Sequence, residues 1–211
     1  MSTFVQDVKY MGYTCTHPFN GFYELRFRRQ RNWIIILAIF LMIGLVDILA
    51  LYHTGIIVSG SVVIGADPLF MMVTAVFPFL VFAVSNWAIT SIFDGNGSFS
   101  DVLMVMAYAV VPKLVIDLIV IVLSNVIIQP EMFMIQAIST IGMIIFGFLV
   151  FCGLCVIHEY SAAKCVVTLF ATALAAVLIM FIGIVYVVLM GRMFGMAQSI
   201  FAEITRRGVV F

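Results

Sequence analysis

Three ionisable residues interrupt stretches of this chain that are otherwise apolar: Asp47, Lys113 and Asp117. Lys113 and Asp117 stand four residues apart, a spacing that stacks them on one face of a helix and lets them pair. Charges inside apolar helices serve ion or proton pathways, or lock a bundle together as a structural pair. On an insertion scale the two cost about 5–7 kcal/mol at a helix centre, while the twelve Leu, Ile and Val residues of 114–128 return about 4–7 kcal/mol. The segment is marginal unless the pair lies off-centre or faces protein. Asp47 is a second acid that could partner Lys113; left unpaired in hydrocarbon it would keep its proton. Spacing alone leaves open whether the three meet. A second constellation, Cys152-Gly153-Leu154-Cys155 followed by His158, has the spacing of metal ligands. On a single apolar helix only some of these side chains converge, and cysteine there reads as a small packing residue. Cys15 and Cys165 add no disulfide framework. There is no Ser-His-Asp order, phosphate loop or HExxH, so no catalytic residue, cofactor or metal is expected.

The elements that must carry these residues are membrane-spanning helices. Of 211 residues, 65% are hydrophobic and 9% charged, with a mean hydropathy of +1.27, whereas a soluble domain carries about 25% charged residues. At about 20 apolar residues per crossing the length suits one bundle of about five spans. The spans are expected at 33–52, 69–92 with Pro78 inside, 99–128 with Pro112 as a kink, 133–157 and 166–190. The connection at 53–68 contains Gly55, Gly60 and Gly65 and neither Lys nor Arg, as in an extracytoplasmic loop. Residues 93–98 form a turn through Asp94-Gly95 and Asn96-Gly97, and Ser98 with Asp101 reads as a capping box for the third span.

Polar segments flank the spans. In residues 1–32, Phe19, Phe22, Tyr23 and Phe27 share one helical face and Glu24, Arg28 and Arg31 the opposite one, which predicts an amphipathic helix lying in the membrane interface with its aromatic face down. Arg26, Arg28, Arg29 and Arg31 then precede Trp33 as a basic cluster at the headgroups, worth about 1 kcal/mol each, as positive-inside anchor or as lipid or partner contact. The tail from Gly191 has a similar two-faced pattern and predicts another interfacial helix, weakened by Gly195. The organisation is thus an N-terminal segment at 1–32, a membrane domain at 33–190 and a tail at 191–211. With five spans, Lys9, Arg26, Arg28, Arg29, Arg31 and Lys164 fall on one side and Arg192, Arg206 and Arg207 on the other, which places the N-terminus in the cytoplasm and the C-terminus outside. The start lacks the pattern of a cleaved signal peptide, so the first span is expected to be its own targeting signal. Net charge is zero, which argues against nucleic acid as a partner.

Three segments carry a family resemblance: HPFNGFYELR at 17–26, NWAITSIFDGNGSFSDVLMVMAYAVVP at 86–112, and HEYSAAK at 158–164. In that order they resemble the Yip family, in its bacterial branch. The resemblance runs from His17 to Phe211 and rests on His17, Pro18, Phe19, Gly21, Asn86, Trp87, Asp94, Gly95, Gly97, Tyr108, Pro112, His158, Tyr160, Ser161 and Lys164. It implies an all-α, five-helix membrane domain with a cytoplasmic N-terminus, related to eukaryotic proteins that interact with Rab-type GTPases. The long N-terminal region of those relatives is missing before His17. Lys113, directly after Pro112, stands where the family pattern has an aromatic or aliphatic residue.

The reading that follows is a non-enzymatic membrane scaffold or adaptor in the bacterial cytoplasmic membrane, in contact with the bilayer and with a membrane-protein partner or further copies of itself. The alternative is a small transporter or channel, or an accessory subunit of a transport complex, that uses Asp47, Lys113 and Asp117. For Asn86 and Trp87 the expected roles are interhelical hydrogen bonding and an interface anchor.

Overall fold

A computed structural model describes residues 2–28, 32–54, 67–128 and 131–208. Among these residues there are seven α-helices: α1 (Ser2–Thr16), α2 (Pro18–Phe27), α3 (Trp33–His53), α4 (Pro68–Ile92), α5 (Phe99–Ser124), α6 (Met132–His158) and α7 (Ala162–Gly208). The last five are long and apolar enough to cross a membrane, and the chain is an all-helical integral membrane protein. The expected loop at 53–68 and the Gln129-Pro130 link fall almost wholly outside the described residues.

The centre of the bundle is α5. Val102 and every residue from Met104 to Val110 are buried, so this half of the helix is apolar all round and is covered on every side, as such a helix must be in a protein interior. Its start is set by the expected capping box: the Asp101 amide donates to Ser98 Oγ at 3.3 Å and the Ser98 amide to Asp101 Oδ2 at 2.9 Å. The helix continues through Pro112. Around it, α6 packs most extensively against α5, α3 lies against both α4 and α5, and α7 runs along α4.

Two differences from the sequence reading concern the flanking segments. The N-terminal region holds two helices, and the aromatic stripe of α2 does not all face outward. Phe22 is fully buried, whereas Phe19, Tyr23 and Phe27 are about half exposed. The reason is that α2 docks on α6, where Phe22 enters the space that Gly153 leaves open. The stripe is thus split between one core side chain and three outward-facing rings. In turn α1 crosses α2 closely at Gly21, where a Cβ would come within 2.7 Å of the Thr14 backbone, and Tyr10 Oη lies 3.0 Å from both the Gly21 carbonyl and Glu24 Oε2.

The C-terminal tail is not a separate helix. α7 runs unbroken for 47 residues through Gly191 and Gly195, or about 70 Å, more than twice the thickness of a hydrocarbon core. No proline interrupts it, and each glycine costs only about 1 kcal/mol. Its contacts concentrate near its start: Cys165, Thr168 and Thr172 are buried on one face, and beyond them α7 is largely exposed.

Candidate functional site

The segments that looked unrelated along the chain meet at one end of the bundle. α4 and α6 both stop there with the same left-handed cap. Asp94 (φ 53°) ends α4 and the Gly95 amide returns to the Thr90 carbonyl at 2.8 Å; Glu159 (φ 55°) ends α6 and the Tyr160 amide returns to the Cys155 carbonyl at 3.0 Å. Glycine is the usual residue at such a position, and acidic side chains held there carry backbone strain of the kind concentrated at functional positions.

Between the two caps sits His158, 2% exposed. The Gly97 amide donates to its Nδ1 at 3.2 Å, so Nδ1 is the unprotonated nitrogen and the imidazole is neutral. Nε2–H then donates to Asn86 Oδ1 at 3.1 Å, and Asn86 Nδ2 donates to Thr172 Oγ1 at 3.1 Å, whose hydroxyl donates to the Thr168 carbonyl at 2.7 Å. The chain of bonds links the 94–98 turn, α6, α4 and α7 through side chains that are almost entirely buried, where an unmade hydrogen bond is costly. It requires the turn backbone to reach the ring: a Cβ on Gly95 would lie 2.6 Å from His158 Nδ1, and one on Gly97 2.7 Å from Cε1. That is why two glycines stand here.

Tyr160 stacks on His158 with ring centroids 5.3 Å apart and donates its hydroxyl to the Phe93 carbonyl at 2.9 Å, tying the end of α4 to the link after α6. Burial first, then the charge of Asp94 and the nearby Cys165, raise its phenol above the usual value, so it remains a donor. Lys164 lies over the outer face of the ring, 4.4 Å from the centroid, and Ser161 caps the start of α7 through the Lys164 amide at 3.4 Å.

Arg26 completes the hub and corrects the sequence reading. Expected at the headgroups, its side chain is only 12% exposed and turns inward. It donates to the carbonyls of Ile157 and, at 3.0 Å, Asn96, with Glu159 3.6 Å away. The last carbonyls of a helix have no partner within it; the physical reason for the inward turn is that α2, fixed by Phe22, brings a donor fork to those of α6. Replacing Arg26 by Leu is expected to lower stability by about 2 kcal/mol, read by thermal melting in detergent. Lys should recover only part of it, because an ammonium cannot span Ile157 and Asn96 as a fork does. Arg28 and Trp33 are exposed, and Arg29 and Arg31 lie outside the described residues.

Other expected residues act locally. His17 stacks on Tyr13 with centroids 4.9 Å apart, Pro18 opens α2, Phe19 faces outward, and Tyr108 is buried in the core. Trp87 is half exposed and packs edge-on to Phe99. Cys152, Cys155 and Cys165 are free and buried, and Cys15 is free and half-buried, its thiol pushed up by burial. Both ring nitrogens of His158 are committed to the hub, and among the described residues no three His, Cys, Asp or Glu side chains are placed to hold a metal ion. Thr168 and Thr172 were missed by sequence reasoning; two threonines four apart in an apolar helix are the signal for an interhelical polar contact.

A second site lies deeper. Asp47, Lys113 and Asp117 all line one cavity of about 430 Å³, bounded by α3, α4, α5, α6 and α7. Lys113 Nζ pairs with Asp117 Oδ2 at 2.5 Å.

The fold and the hub define a five-span helical membrane protein whose spans are tied together at one end by a buried polar network. The Yip1 domain family model matches residues 12–185, and the chain belongs to that family. No match was found among curated proteins or among solved structures.

Proposed function

We propose that this protein is a non-enzymatic membrane scaffold of the Yip type, and that the end of the bundle carrying the hub is the face on which it organises a membrane-protein partner. The observation that carries this reading is the convergence of the family's separated motifs into one network whose buried part is committed to structure. Asn86, His158 and Thr172 bond to one another or to backbone, and the hub's job is to hold a surface. On that surface stand Asp94, Glu159, Arg28, Tyr23, Phe27 and Trp87, all exposed. Mixed charge with protruding aromatic rings suits protein recognition at a membrane surface. In this reading the hub end faces the cytoplasm of a bacterial cell, in keeping with the excess of basic residues on the N-terminal side, and the end of α7 lies on the opposite side.

The test is capture from native membranes in mild detergent, with cross-linking and mass spectrometry. The double variant Arg28→Glu/Asp94→Lys, which leaves the Arg26 contacts untouched, should melt within a few degrees of wild type and lose its co-purifying membrane proteins. Lys113→Leu, far from the hub, should keep them. Retention by the surface variant together with loss in Lys113→Leu at normal expression would reverse the conclusion in favour of a transport role.

A further inference from the structure

The deep cavity is not used by the scaffold reading and has chemistry of its own. Asp47 and Lys113 each lie fourteen residues from the start of their helices, Trp33 and Phe99. α3 and α5 run in the same direction, so both charges sit at one depth, about 21 Å from the hub end. From Asp47 to His53, the last residue of α3, is about 9 Å, which keeps the group inside the hydrocarbon layer.

The three groups do not all pair with one another. Lys113 and Asp117 neutralise each other, with side chains 30% and 22% exposed. Asp47, exposed at the rim, has no hydrogen-bond or ion-pair partner among the described residues. Asp47 is a further acid in a space otherwise walled by apolar side chains, among them Phe79, Phe82 and Phe146; alone there it keeps its proton, and it ionises when a cation is bound beside it. A hard metal ion would need six or more oxygen ligands, and two carboxylates with a hydrocarbon wall do not provide them. An anion would meet two acids and, among the described lining residues, a single cation that is paired with Asp117. An organic cation fits: its charge answers Asp47, aromatic rings suit an ammonium, and the apolar wall accepts a hydrocarbon body. The volume lies in the range of small-molecule pockets, about 300–1,000 Å³, enough for a single-chain amine or for the head of a larger lipid.

We propose that this cavity binds the protonated amine of an amphipathic molecule, with the ammonium on Asp47 and the hydrocarbon against Phe79, Phe82 and Phe146. The amine is carried by an aminophospholipid headgroup or by a free lipophilic amine. The site is independent of partner binding at the hub.

The probe is dodecylamine, titrated against the full chain in dodecyl maltoside micelles and followed by thermal melting, with dodecanol as the uncharged control. Dodecylamine should raise the melting temperature saturably and dodecanol should not. Asp47→Asn keeps shape but cannot ionise beside the ammonium, and should weaken dodecylamine binding at least tenfold. Lys113→Met releases Asp117 to join Asp47 and should tighten it, an effect opposite to that of simple damage to the bundle. Equal stabilisation by dodecanol, or wild-type dodecylamine binding in Asp47→Asn, would overturn the proposal. Added phosphatidylethanolamine distinguishes the sources: a titration shifted to higher dodecylamine concentration assigns the lipid headgroup, and an unshifted one assigns the free amine.

Discussion

His158→Ala should unfold this protein at a markedly lower temperature than wild type, with a loss of about 3–5 kcal/mol. The imidazole is buried and uses both nitrogens. Removing it strands the Gly97 amide and Asn86 Oδ1, and each buried group left without a partner costs about 1–3 kcal/mol. The void left by a ring adds to that, because the surroundings collapse only in part. Gly95 and Gly97 cannot fill the space, and Asn86 stays held on its other side by Thr172. The loss is a large share of a total stability of about 5–15 kcal/mol. His158→Gln is the discriminating variant. Its amide can accept from Gly97 with oxygen and donate to Asn86 with nitrogen, so it should recover at least half of the loss. Thermal melts of the two variants, with Asn86→Ala and the Asn86→Ala/His158→Ala double variant, give the coupling between the residues, expected above 1 kcal/mol. Equal damage from Ala and Gln, or additive single effects, would show that the ring acts by volume and not by its hydrogen bonds.

Much of the bundle was legible because a membrane span leaves a long signal: about 20 apolar residues and a break. Ser98 and Asp101 gave the start of α5 because a capping box is local. What periodicity does not say is which neighbour a face meets. Asn86, Gly97, His158 and Thr172 lie within 86 residues of chain, yet only the packing of α4, α6 and α7 brings them together. Arg26 was misread because a count of basic residues treats every guanidinium as facing headgroups, and nothing in the string reveals a donor delivered to the end of α6. Phe22 was misread for the same reason: its stripe is real, but this one ring of it faces Gly153 and Val105 in the core. The α7 tail was cut at Gly191 because the apolar span gives way there to a two-faced pattern, although a change of pattern and two glycines without a proline do not end a helix. By contrast, the common depth of Asp47 and Lys113 was within reach of the sequence, though not their shared cavity. Equal distance from the starts of two parallel spans already placed the charges at one depth.

Gly153 should tolerate no side chain. It stands where α2, α5 and α6 touch, and a Cβ there would lie 2.5 Å from Val105 Cγ1, 3.0 Å from Cγ2 and 3.3 Å from the Phe22 ring. None of these can yield cheaply. Val105 is β-branched, is confined largely to one rotamer in a helix and is fully buried; Phe22 is fully buried as well. Gly153→Ala should therefore cost about 1–3 kcal/mol through overpacking, and Gly153→Leu should prevent α5 and α6 from closing, leaving little folded protein in detergent. The damage should spread in a specific direction. If Phe22 is pushed out, α2 lifts and takes Arg26 away from the Ile157 carbonyl, so residues 17–28 in Gly153→Ala should become open to protease before the bundle melts. Trimming the obstacle provides the check: Val105→Ala in the Gly153→Ala background should restore most of the stability and the protease resistance, although Val105→Ala alone is destabilising. A Gly153→Ala protein as stable as wild type, or a double variant worse than either single one, would mean that α2 is not seated on α6 through this glycine and that the hub is held by its hydrogen bonds alone.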